Sequence, residues 1–366
     1  MSSRVLQIVP HLPGTLDGVG DYALNLARAL SADHGINTTF LVADKTPTTS
    51  TGGYAVVSGL NARDCGPLAR DHPHVILHYV NYGYQARGVP FLLRAFAKQL
   101  RSQLRGKWVT TFHELYASGP PWKSAFWLRP FQVRIARDMI DASTACVVSN
   151  PPIENAISAY DPRKKIYSVP VMSNFGEPEL ADFRSASPKR WVICGGTALL
   201  ARSLELFERL NSEIPDDFRP QHLDVVGGRK NESIVAVVDR LQRNRSNLRL
   251  RYYPEVGSDL ASEVLRESSF GFIDYFGSGK VWPGMVLKST AFAALCAHGV
   301  IPVLSHREPP IAVDGDALPG AYCVTATGSN LPQLEQVPEI RKRVYDWYRA
   351  HADSRQAARI YAEALK

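Results

Sequence analysis

The stretch RVLQIVPHLPGTLDGVGDYALNLARALSADHG, residues 4–35, joins a strand-like run to a helix-like run across a glycine-containing segment. The apolar run at residues 5–9 is bounded by Pro10 and Pro13, which favours a short strand buried on both faces. Leucines and alanines then recur at helical spacing until Gly35 can end the helix. The stretch therefore predicts a β-loop-α opening.

Gly18 and Gly20 stand between the two runs, with Asp17 and Asp21 beside them. Glycines at such a junction allow unusual φ angles and let a ligand approach the backbone, while the helix start offers free N–H groups to an anion. A tight turn without a ligand explains the same residues. Both interpretations stay open, because the segment lacks the G-x-G-x-x-G pattern of dinucleotide-binding proteins.

Strand-like and helix-like segments alternate along the rest of the chain, which is typical of doubly wound α/β domains. The strand-like segments of the first half are 38–43, 74–80, 107–113, 145–150 and 165–170. A polar, proline-containing segment with little periodicity interrupts the alternation before it restarts. The sequence therefore predicts a first Rossmann-like domain over 1–173, a linker over 174–190, a second Rossmann-like domain over 191–335 and a helical segment over 336–366.

Length and composition agree with two folded domains. The chain has 366 residues, which is more than one hydrophobic core usually organises, and 45% of them are hydrophobic. Its five cysteines are scattered without C-x-x-C spacing, which indicates neither a disulfide framework nor a zinc site. Neither a signal peptide nor a membrane-spanning helix is predicted. We expect a reducing, cytoplasmic compartment.

Positive charge is concentrated in one segment of the first domain. Residues 87–137 hold ten lysines and arginines and a single acid, Glu114, whereas the formal net charge of the whole chain is +7. Four of these cations are spaced four, three and four apart, which predicts one helix stripe opposite Leu92, Phe96 and Leu100. They are Arg94, Lys98, Arg101 and Arg105. Stacked like charges repel unless a counter-surface exists, so an anionic partner is expected there.

An aromatic segment follows the predicted stripe. Trp122, Phe126 and Trp127 interleave with basic residues in GPPWKSAFWLRPFQVRIAR, residues 119–137. Such a pattern suits the headgroup layer of an anionic membrane or a phosphate-bearing acceptor. A solvated helix face beside a partly buried aromatic loop is the alternative. Nucleic-acid binding is not expected, because the segment contains no recognisable reading module.

Ligand sites of doubly wound domains lie outside the carboxyl ends of their strands, so we expect two such domains to face a shared cleft. In the first domain, Tyr82, His113 and Glu114 follow predicted strands. In the second domain the candidates are Gly196, Thr197, Arg202, Lys280, Lys288, Ser289 and Thr290. The Gly-Gly turn at 227–228, followed by Arg229 and Lys230, is a weaker candidate.

Lys288, Ser289 and Thr290 carry the sharpest prediction. A cation, two hydroxyls and free backbone N–H groups meet where the helix STAFAALCAHG begins, which suits a diphosphate. An ordinary Ser/Thr helix cap beside a solvated lysine is the alternative. His113 is likewise either a site residue or a structural histidine at a strand end.

The order of elements, the DGVGDYALNLARAL opening, TTFHE at a strand end and AALCAHGVIPVL in the second half resemble GT-B glycosyltransferases of the retaining, family-four type. The resemblance covers residues 4–310 at the level of pattern. It implies a GT-B fold, transfer of a sugar from a nucleotide-diphosphate sugar to a hydroxyl with retention, and no bound metal. It also implies that Gly18 and Gly20 approach the donor diphosphate and that His113 lies near the donor sugar.

The sequence departs from that family in two places. Val286 and Ala294 occupy the positions of a glutamate pair, so the usual ribose contact is missing. Thr197 and Ser203 occupy the positions of an arginine and a lysine that neutralise the leaving diphosphate. We expect Lys288 and Arg202 to supply that charge instead, since some group must stabilise the leaving group when no metal does.

The predicted reaction is front-face attack by the acceptor hydroxyl while the departing diphosphate is stabilised. His113 would contact the donor sugar, and Glu114 or Asp21 would orient the acceptor. The acceptor is expected to be a glycan precursor or a lipid-linked molecule at the cytoplasmic membrane surface, beside Tyr82 and the aromatic segment. Two alternatives remain: an epimerase acting on a nucleotide-sugar, and a non-catalytic protein that binds a nucleotide or glycan.

Overall fold

The computed structural model describes residues 4–13, 18–117, 119–245, 247–276, 284–307, 309–320 and 322–366. The chain forms two compact units, of which the first comprises Met1–Pro170 and Ser354–Lys366 and the second Val171–Asp353.

This division differs from the predicted boundaries in two respects. The segment 174–190 was predicted as a linker, yet it packs on the second unit, where the Tyr345 hydroxyl donates to the Pro178 carbonyl at 3.1 Å. The last helix of the chain returns to the first unit.

The first unit is an eight-stranded sheet with helices on both faces. Its strands are β1 Arg4–Val9, β2 Asn37–Val42, β3 Ser50–Thr51, β4 Tyr54–Ser58, β5 His74–Tyr79, β6 Trp108–Phe112, β7 Ala145–Val148 and β8 Ile166–Ser168. Its helices are α1 Gly18–His34, α2 Cys65–Asp71, α3 Asn81–Tyr84, α4 Phe91–Gln103, α5 Ser124–Ala142, α6 Pro151–Tyr160 and, from the end of the chain, α12 Ser354–Ala364.

The strand order of the first unit is β3-β4-β2-β1-β5-β6-β7-β8, and every pair is parallel except β3 with β4. The order reverses between β1 and β5, which makes the carboxyl ends of these strands the expected ligand edge. The five strands predicted after the opening are confirmed to within two residues at each end. The β3–β4 hairpin was not predicted, because its strands are too short to show an apolar run.

The opening stretch corrects one prediction. The first helix was predicted to begin near residue 20, with Gly18 before it, but α1 begins at Gly18, and neither Gly18 nor Gly20 has the positive φ that would demand glycine. Gly18 has open space where a Cβ would stand. The residues between Pro13 and Gly18, including Asp17, lie outside the described part of the chain.

The second unit has a seven-stranded sheet and a separate two-stranded one. Its strands are β9 Arg190–Cys194, β10 His222–Val226, β11 Arg249–Tyr253, β12 Phe270–Ile273, β13 Ile301–Leu304, β14 Ala312–Val313, β15 Asp316–Ala317, β16 Tyr322–Thr325 and β17 Gly328–Asn330. Its helices are α7 Thr197–Leu210, α8 Glu232–Asn244, α9 Ser258–Arg266, α10 Thr290–Ala297 and α11 Val337–His351.

The main sheet of the second unit has the order β11-β10-β9-β12-β13-β16-β17, with β16 and β17 antiparallel and the other pairs parallel. Its order reverses between β9 and β12. Residues of β12 and β13 are buried on both faces, as the continuous apolar runs predicted. The predicted doubly wound α/β class is therefore confirmed for both units.

A buried arginine ties the second unit together. Arg341 of α11 is 1% exposed and donates to the carbonyls of Gly299, Phe183 and Arg266 at 2.9, 3.1 and 3.3 Å. Burial lowers its pKa to about 10. One guanidinium thus satisfies backbone acceptors from three separate segments.

All five cysteines are buried and unpaired with one another. No helix in the described ranges is long and apolar enough to cross a bilayer.

Candidate functional site

In the second unit, two helix N-termini meet at the point where the strand order reverses. Gly196 is the N-cap of α7, directly after β9, and Ser289 is the N-cap of α10. The loop before α7 lies against the first turn of α10, since a Cβ on Gly195 would stand 3.2 Å from the Cβ of Ala291. The Cys194 thiol also reaches the Ala291 carbonyl at 3.7 Å. Converging N–H groups at such a point favour an anion.

The Gly-Gly turn after β10 closes one side of this edge. Gly227 and Gly228 have φ values of 101° and 64°, which favour glycine. A Cβ on Gly228 would lie 2.9 Å from the backbone nitrogen of Thr197, so only glycine allows this approach. The Thr197 hydroxyl accepts from the Arg229 N–H at 2.8 Å. Thr197 therefore joins two loops, and its hydroxyl is already engaged.

The sequence left open whether the start of α10 is an ordinary helix cap or a diphosphate site. The Ser289 side chain accepts from the Phe292 N–H at 3.2 Å, so it is an ordinary N-cap. Thr290 is the first helical residue and is half-buried. Lys288, at the end of a short 3-10 turn, is also half-buried and has no acidic partner within the described ranges. A half-buried cation beside the N-terminus of α10, without an acidic partner among the described residues, leaves positive potential at this edge.

Arg202 has a different environment from the one expected for a cation that contacts a ligand. Its guanidinium donates twice to the Asp274 carbonyl, at 2.9 and 2.8 Å, and once to the Tyr275 carbonyl at 2.9 Å. It also pairs with the Asp274 carboxylate at 3.3 Å. Arg202 thus holds the chain after β12 in place, and much of its charge is compensated by Asp274.

Asp274 was not predicted as a site residue. It is 2% exposed, accepts from the Ser305 hydroxyl at 2.7 Å, and its N–H donates to Ser203 at 3.0 Å. His306 follows Ser305 and contacts it at 3.3 Å. The signal in the sequence was the acid that directly follows the apolar strand FGFI, a position where polar residues meet ligands in parallel sheets.

Lys280 lies outside the described residues. Val286 and Ala294, which the predicted resemblance aligns with a glutamate pair, are fully buried and belong to the core.

In the first unit, His113 follows β6 and is half-buried. Its Nε2 lies 3.2 Å from Nδ1 of His78, and the two rings stack with their centroids 5.5 Å apart. The Tyr22 ring contacts both imidazoles edge-on, at 5.2 and 5.8 Å. Glu114, the next residue, is half-buried. His113 therefore belongs to a built side-chain cluster.

Asp21 and Tyr82, predicted to face an acceptor, lie on different elements of the first unit. Asp21 is in the first turn of α1 and is half-buried. Tyr82 is 39% exposed, and its hydroxyl accepts from the buried amide of Gln132 at 3.3 Å. Gln132 also holds the Arg87 carbonyl, at 3.1 Å, and the Ala117 N–H, at 2.9 Å.

The predicted stripe of four cations is wrong in two respects. Arg105 lies beyond the last residue of α4, and Leu92 is 66% exposed instead of buried opposite the stripe. The counter-surface belongs to the same chain: Arg94 pairs with Asp138, and Arg101 donates to the Ala142 carbonyl at 3.0 Å. Of the four, Lys98 and Arg105 are exposed.

The aromatic segment is exposed. Trp122 is 83% and Trp127 68% exposed. Phe91 at the start of α4 meets Phe131 of α5 with ring centroids 6.2 Å apart, which joins the two helices into one apolar surface. We call this the aromatic surface; its members are Phe91, Leu92, Trp122, Phe126, Trp127 and Phe131.

The sequence matches no protein-family model and no curated protein sequence. Solved structures share the fold along the whole chain at low sequence identity. An alpha-glucosyltransferase solved with UDP-glucose and DNA has a TM-score of 0.59 and 11% identity, covering 100% of this chain and 99% of that one. The α,α-trehalose 6-phosphate synthase of Burkholderia multivorans has a TM-score of 0.60 and 13% identity, covering 100% and 96%.

A Listeria monocytogenes protein assigned as a UDP-N-acetylglucosamine 2-epimerase also shares the fold. Its TM-score is 0.55 at 11% identity, covering 99% of this chain and 95% of that one. The two units thus have the GT-B architecture, which the resemblance implied. At these identities the likeness defines the fold, and the function has to be argued from the site.

Proposed function

We propose that this protein is a glycosyltransferase that moves a sugar from a nucleotide-diphosphate sugar to an acceptor hydroxyl, with retention and without a metal. The observation that carries the proposal is the edge of the second unit where the N-termini of α7 and α10 converge beside Lys288. A diphosphate needs several N–H donors and at least one cation, and both are present there.

Lys288 is the principal cation in this proposal. The departing diphosphate gains negative charge as the glycosidic bond breaks, so a preorganised cation lowers the barrier more than it strengthens ground-state binding. Thr290 and the N–H groups of Gly196 and Thr197 add donors. Arg202 contributes weaker positive potential, because Asp274 compensates it.

His113 and Glu114 are proposed to act on the sugar and the acceptor. His113 contacts the transferred sugar as positive charge develops at its anomeric carbon. Glu114 or Asp21 orients the acceptor hydroxyl. None of these residues is proposed as a covalent nucleophile.

The acceptor is proposed to be a lipid-linked molecule or glycan precursor met at an anionic membrane. The support is the aromatic surface, whose tryptophans would insert among headgroups while Lys98, Lys123 and Arg129 meet anionic lipid. These three cations are exposed and have no acidic partner within the described ranges.

Thermal stabilisation by nucleotides tests the donor site. UDP, GDP, ADP, TDP and CMP are added to the wild type, Lys288→Ala and Lys189→Ala. Lys189 is a matched control, because it is half-buried in the same unit but directly precedes β9, at the opposite end of the sheet. Selective stabilisation by one nucleoside diphosphate, lost only in Lys288→Ala, is expected. If none of the five nucleotides stabilises the wild type, the donor site is wrong.

Incubation of the stabilising nucleotide's sugar conjugates without an acceptor separates the transferase from an epimerase. A transferase gives unchanged donor or slow hydrolysis, whereas an isomeric nucleotide-sugar would overturn the proposal. Binding without turnover in the presence of membrane extracts and defined acceptors would favour a non-catalytic binding protein.

Vesicle co-sedimentation tests the membrane surface. Binding to phosphatidylcholine vesicles that contain phosphatidylglycerol, but not to phosphatidylcholine alone, is expected for the wild type. It should weaken in Trp122→Ser/Trp127→Ser and persist in Leu260→Ser, which changes an exposed leucine of the second unit. Equal binding of all three proteins, or competition by duplex DNA at the same salt concentration, would contradict a lipid surface.

A further inference from the structure

A row of polar side chains crosses the buried centre of the first unit and ends at His113. Gln7 of β1 donates from Nε2 to the Thr38 hydroxyl of β2 at 3.2 Å. The Oε1 atom of Gln7 lies 2.8 Å from Nε2 of His78 on β5. His78 then meets His113 at 3.2 Å. Gln7 and His78 are fully buried, so each of these bonds has to be made within the protein.

The bonds of Gln7 fix the direction of the protons. In the amide orientation of the structure, Nε2 of Gln7 donates to the Thr38 hydroxyl and Oε1 faces His78, so Nε2 of His78 carries the proton. Burial beside a second imidazole lowers the pKa of His78 well below 6.5, so His78 is neutral and has a single N–H. Its Nδ1 is then an acceptor, and His113 must donate from Nε2.

An aromatic side chain packs against both imidazole rings. Tyr22 of α1 packs edge-on against both imidazoles. Its hydroxyl lies 3.3 Å from that of Tyr361 in α12, which in turn contacts the Thr111 hydroxyl on β6. Tyr22 is 3% exposed, and Tyr361 is fully buried. Rotation of either imidazole would require these buried rings to move.

We infer that Gln7 and His78 are positioning residues, which hold His113 in the single tautomer that has its proton on Nε2. The ring atom of His113 that accepts a proton or a hydrogen bond is therefore Nδ1. Only the role of His113 toward a sugar rests on the proposed function. The proton arrangement itself stands on the geometry of the first unit.

The test is ¹⁵N NMR of the full-length protein labelled at histidine, because protonated and bare ring nitrogens have well-separated shifts. His113→Gln identifies the signals of His113. The wild type is expected to show a protonated Nε2 and a bare Nδ1. Gln7→Met removes the acceptor of the His78 proton. It should lower the ratio of the His113 tautomer protonated on Nε2 to the tautomer protonated on Nδ1 about fivefold, which is equivalent to one net hydrogen bond. His78→Phe, which keeps an aromatic ring, serves if Gln7→Met does not fold.

Thr110→Val is the matched control, since it removes a buried hydroxyl from the same strand, β6, that bonds Trp108 and Ser143 and belongs neither to the polar row nor to the contacts of Tyr22. It should leave the tautomer of His113 unchanged. If the polar row had a merely structural role, Gln7→Met and this control would have the same effect on the tautomer. A bare Nε2 on His113 in the wild type overturns the inference. So does an unchanged tautomer ratio in folded Gln7→Met or His78→Phe. Loss of the proposed transferase activity alone would not affect these readouts.

Discussion

The hydroxyl of Tyr361, in the last helix of the chain, lies 3.3 Å from the hydroxyl of Tyr22 in the first helix. The chain thus leaves the first unit at residue 170 and returns to it at residue 354, and α12 packs on α1. The helix that ends the chain is consequently part of the core around His113.

Removal of the Tyr361 hydroxyl should destabilise the first unit. Tyr361→Phe removes the contacts with Tyr22 and Thr111 and leaves buried groups without a partner, so we expect a loss of about 1–3 kcal/mol in the free energy of unfolding. Denaturant titration measures it. Tyr167→Phe is the control, because its bond to Glu363 is exposed and should contribute less than about 0.5 kcal/mol. Equal losses in the two variants would contradict the buried network.

Arg341 provides a stability prediction for the second unit. Arg341→Met keeps the volume of the side chain but leaves one buried and two partly buried carbonyls without their donor, so we expect a loss of about 2–5 kcal/mol. Arg343→Met, on the exposed face of the same helix, is the matched control. Calorimetry of both variants checks the difference. A loss below about 1 kcal/mol in Arg341→Met would mean that water satisfies these carbonyls.

Removal of the Tyr79 hydroxyl should increase the stability of the first unit. The Tyr79 hydroxyl is buried and has no hydrogen-bond partner within the described ranges. Tyr79→Phe removes the cost of its desolvation and keeps the ring packed against Phe112, so an increase of about 1 kcal/mol in stability is expected. Thermal unfolding measures it. A decrease would show that the hydroxyl has a partner beyond these residues.

The alternation of strands and helices was predictable because parallel strands buried on both faces are continuous apolar runs between breakers. Side-chain partners that are distant in the sequence were not predictable. Arg94 was assigned to an external anion because nothing local indicated that Asp138, 44 residues away, would face it. Gly18 was placed before the first helix, since helix boundaries are the weakest part of such a prediction.

Part of the site did leave a signal that could have been used. Gln7 and His78 are polar residues inside the apolar runs VLQIV and VILHY, where a buried polar side chain requires a partner. Asp274 directly follows FGFI at a strand end. In each case a polar residue lies within or directly after a buried apolar strand, and that residue forms buried hydrogen bonds in the structure.

His298 predicts a pH dependence for the second unit. It is fully buried, its Nδ1 contacts the Ala294 carbonyl at 2.7 Å, and its Nε2 contacts Ser262 at 2.8 Å. Burial lowers its pKa from 6.5 to about 4, with a smaller contribution from Arg266. Below pH 6.5 the unfolded chain binds a proton that the native state excludes until about pH 4. Stability is therefore complete above pH 6.5 and falls as the pH decreases, by up to about 3 kcal/mol.

The difference between the wild type and His298→Gln isolates this contribution from those of other histidines. Denaturant midpoints at pH 7.5 and pH 5 are compared, and the variant should lose less stability than the wild type over that interval. Parallel losses would mean that His298 is protonated in the native state.

Lys288 and Arg202 should differ in how they affect nucleotide binding. If Lys288 faces the diphosphate and Arg202 holds the chain after β12, then Lys288→Ala weakens a nucleoside diphosphate more than the matching monophosphate, whereas Arg202→Met weakens both by the same factor. The reason is that a direct cation responds to the charge of the ligand, while a displaced loop alters the whole nucleotide site. Isothermal titration with both nucleotides measures the two ratios. A larger effect on the diphosphate in Arg202→Met would transfer the role of the direct cation to Arg202, and its carbonyl bonds would then have to open when the ligand binds.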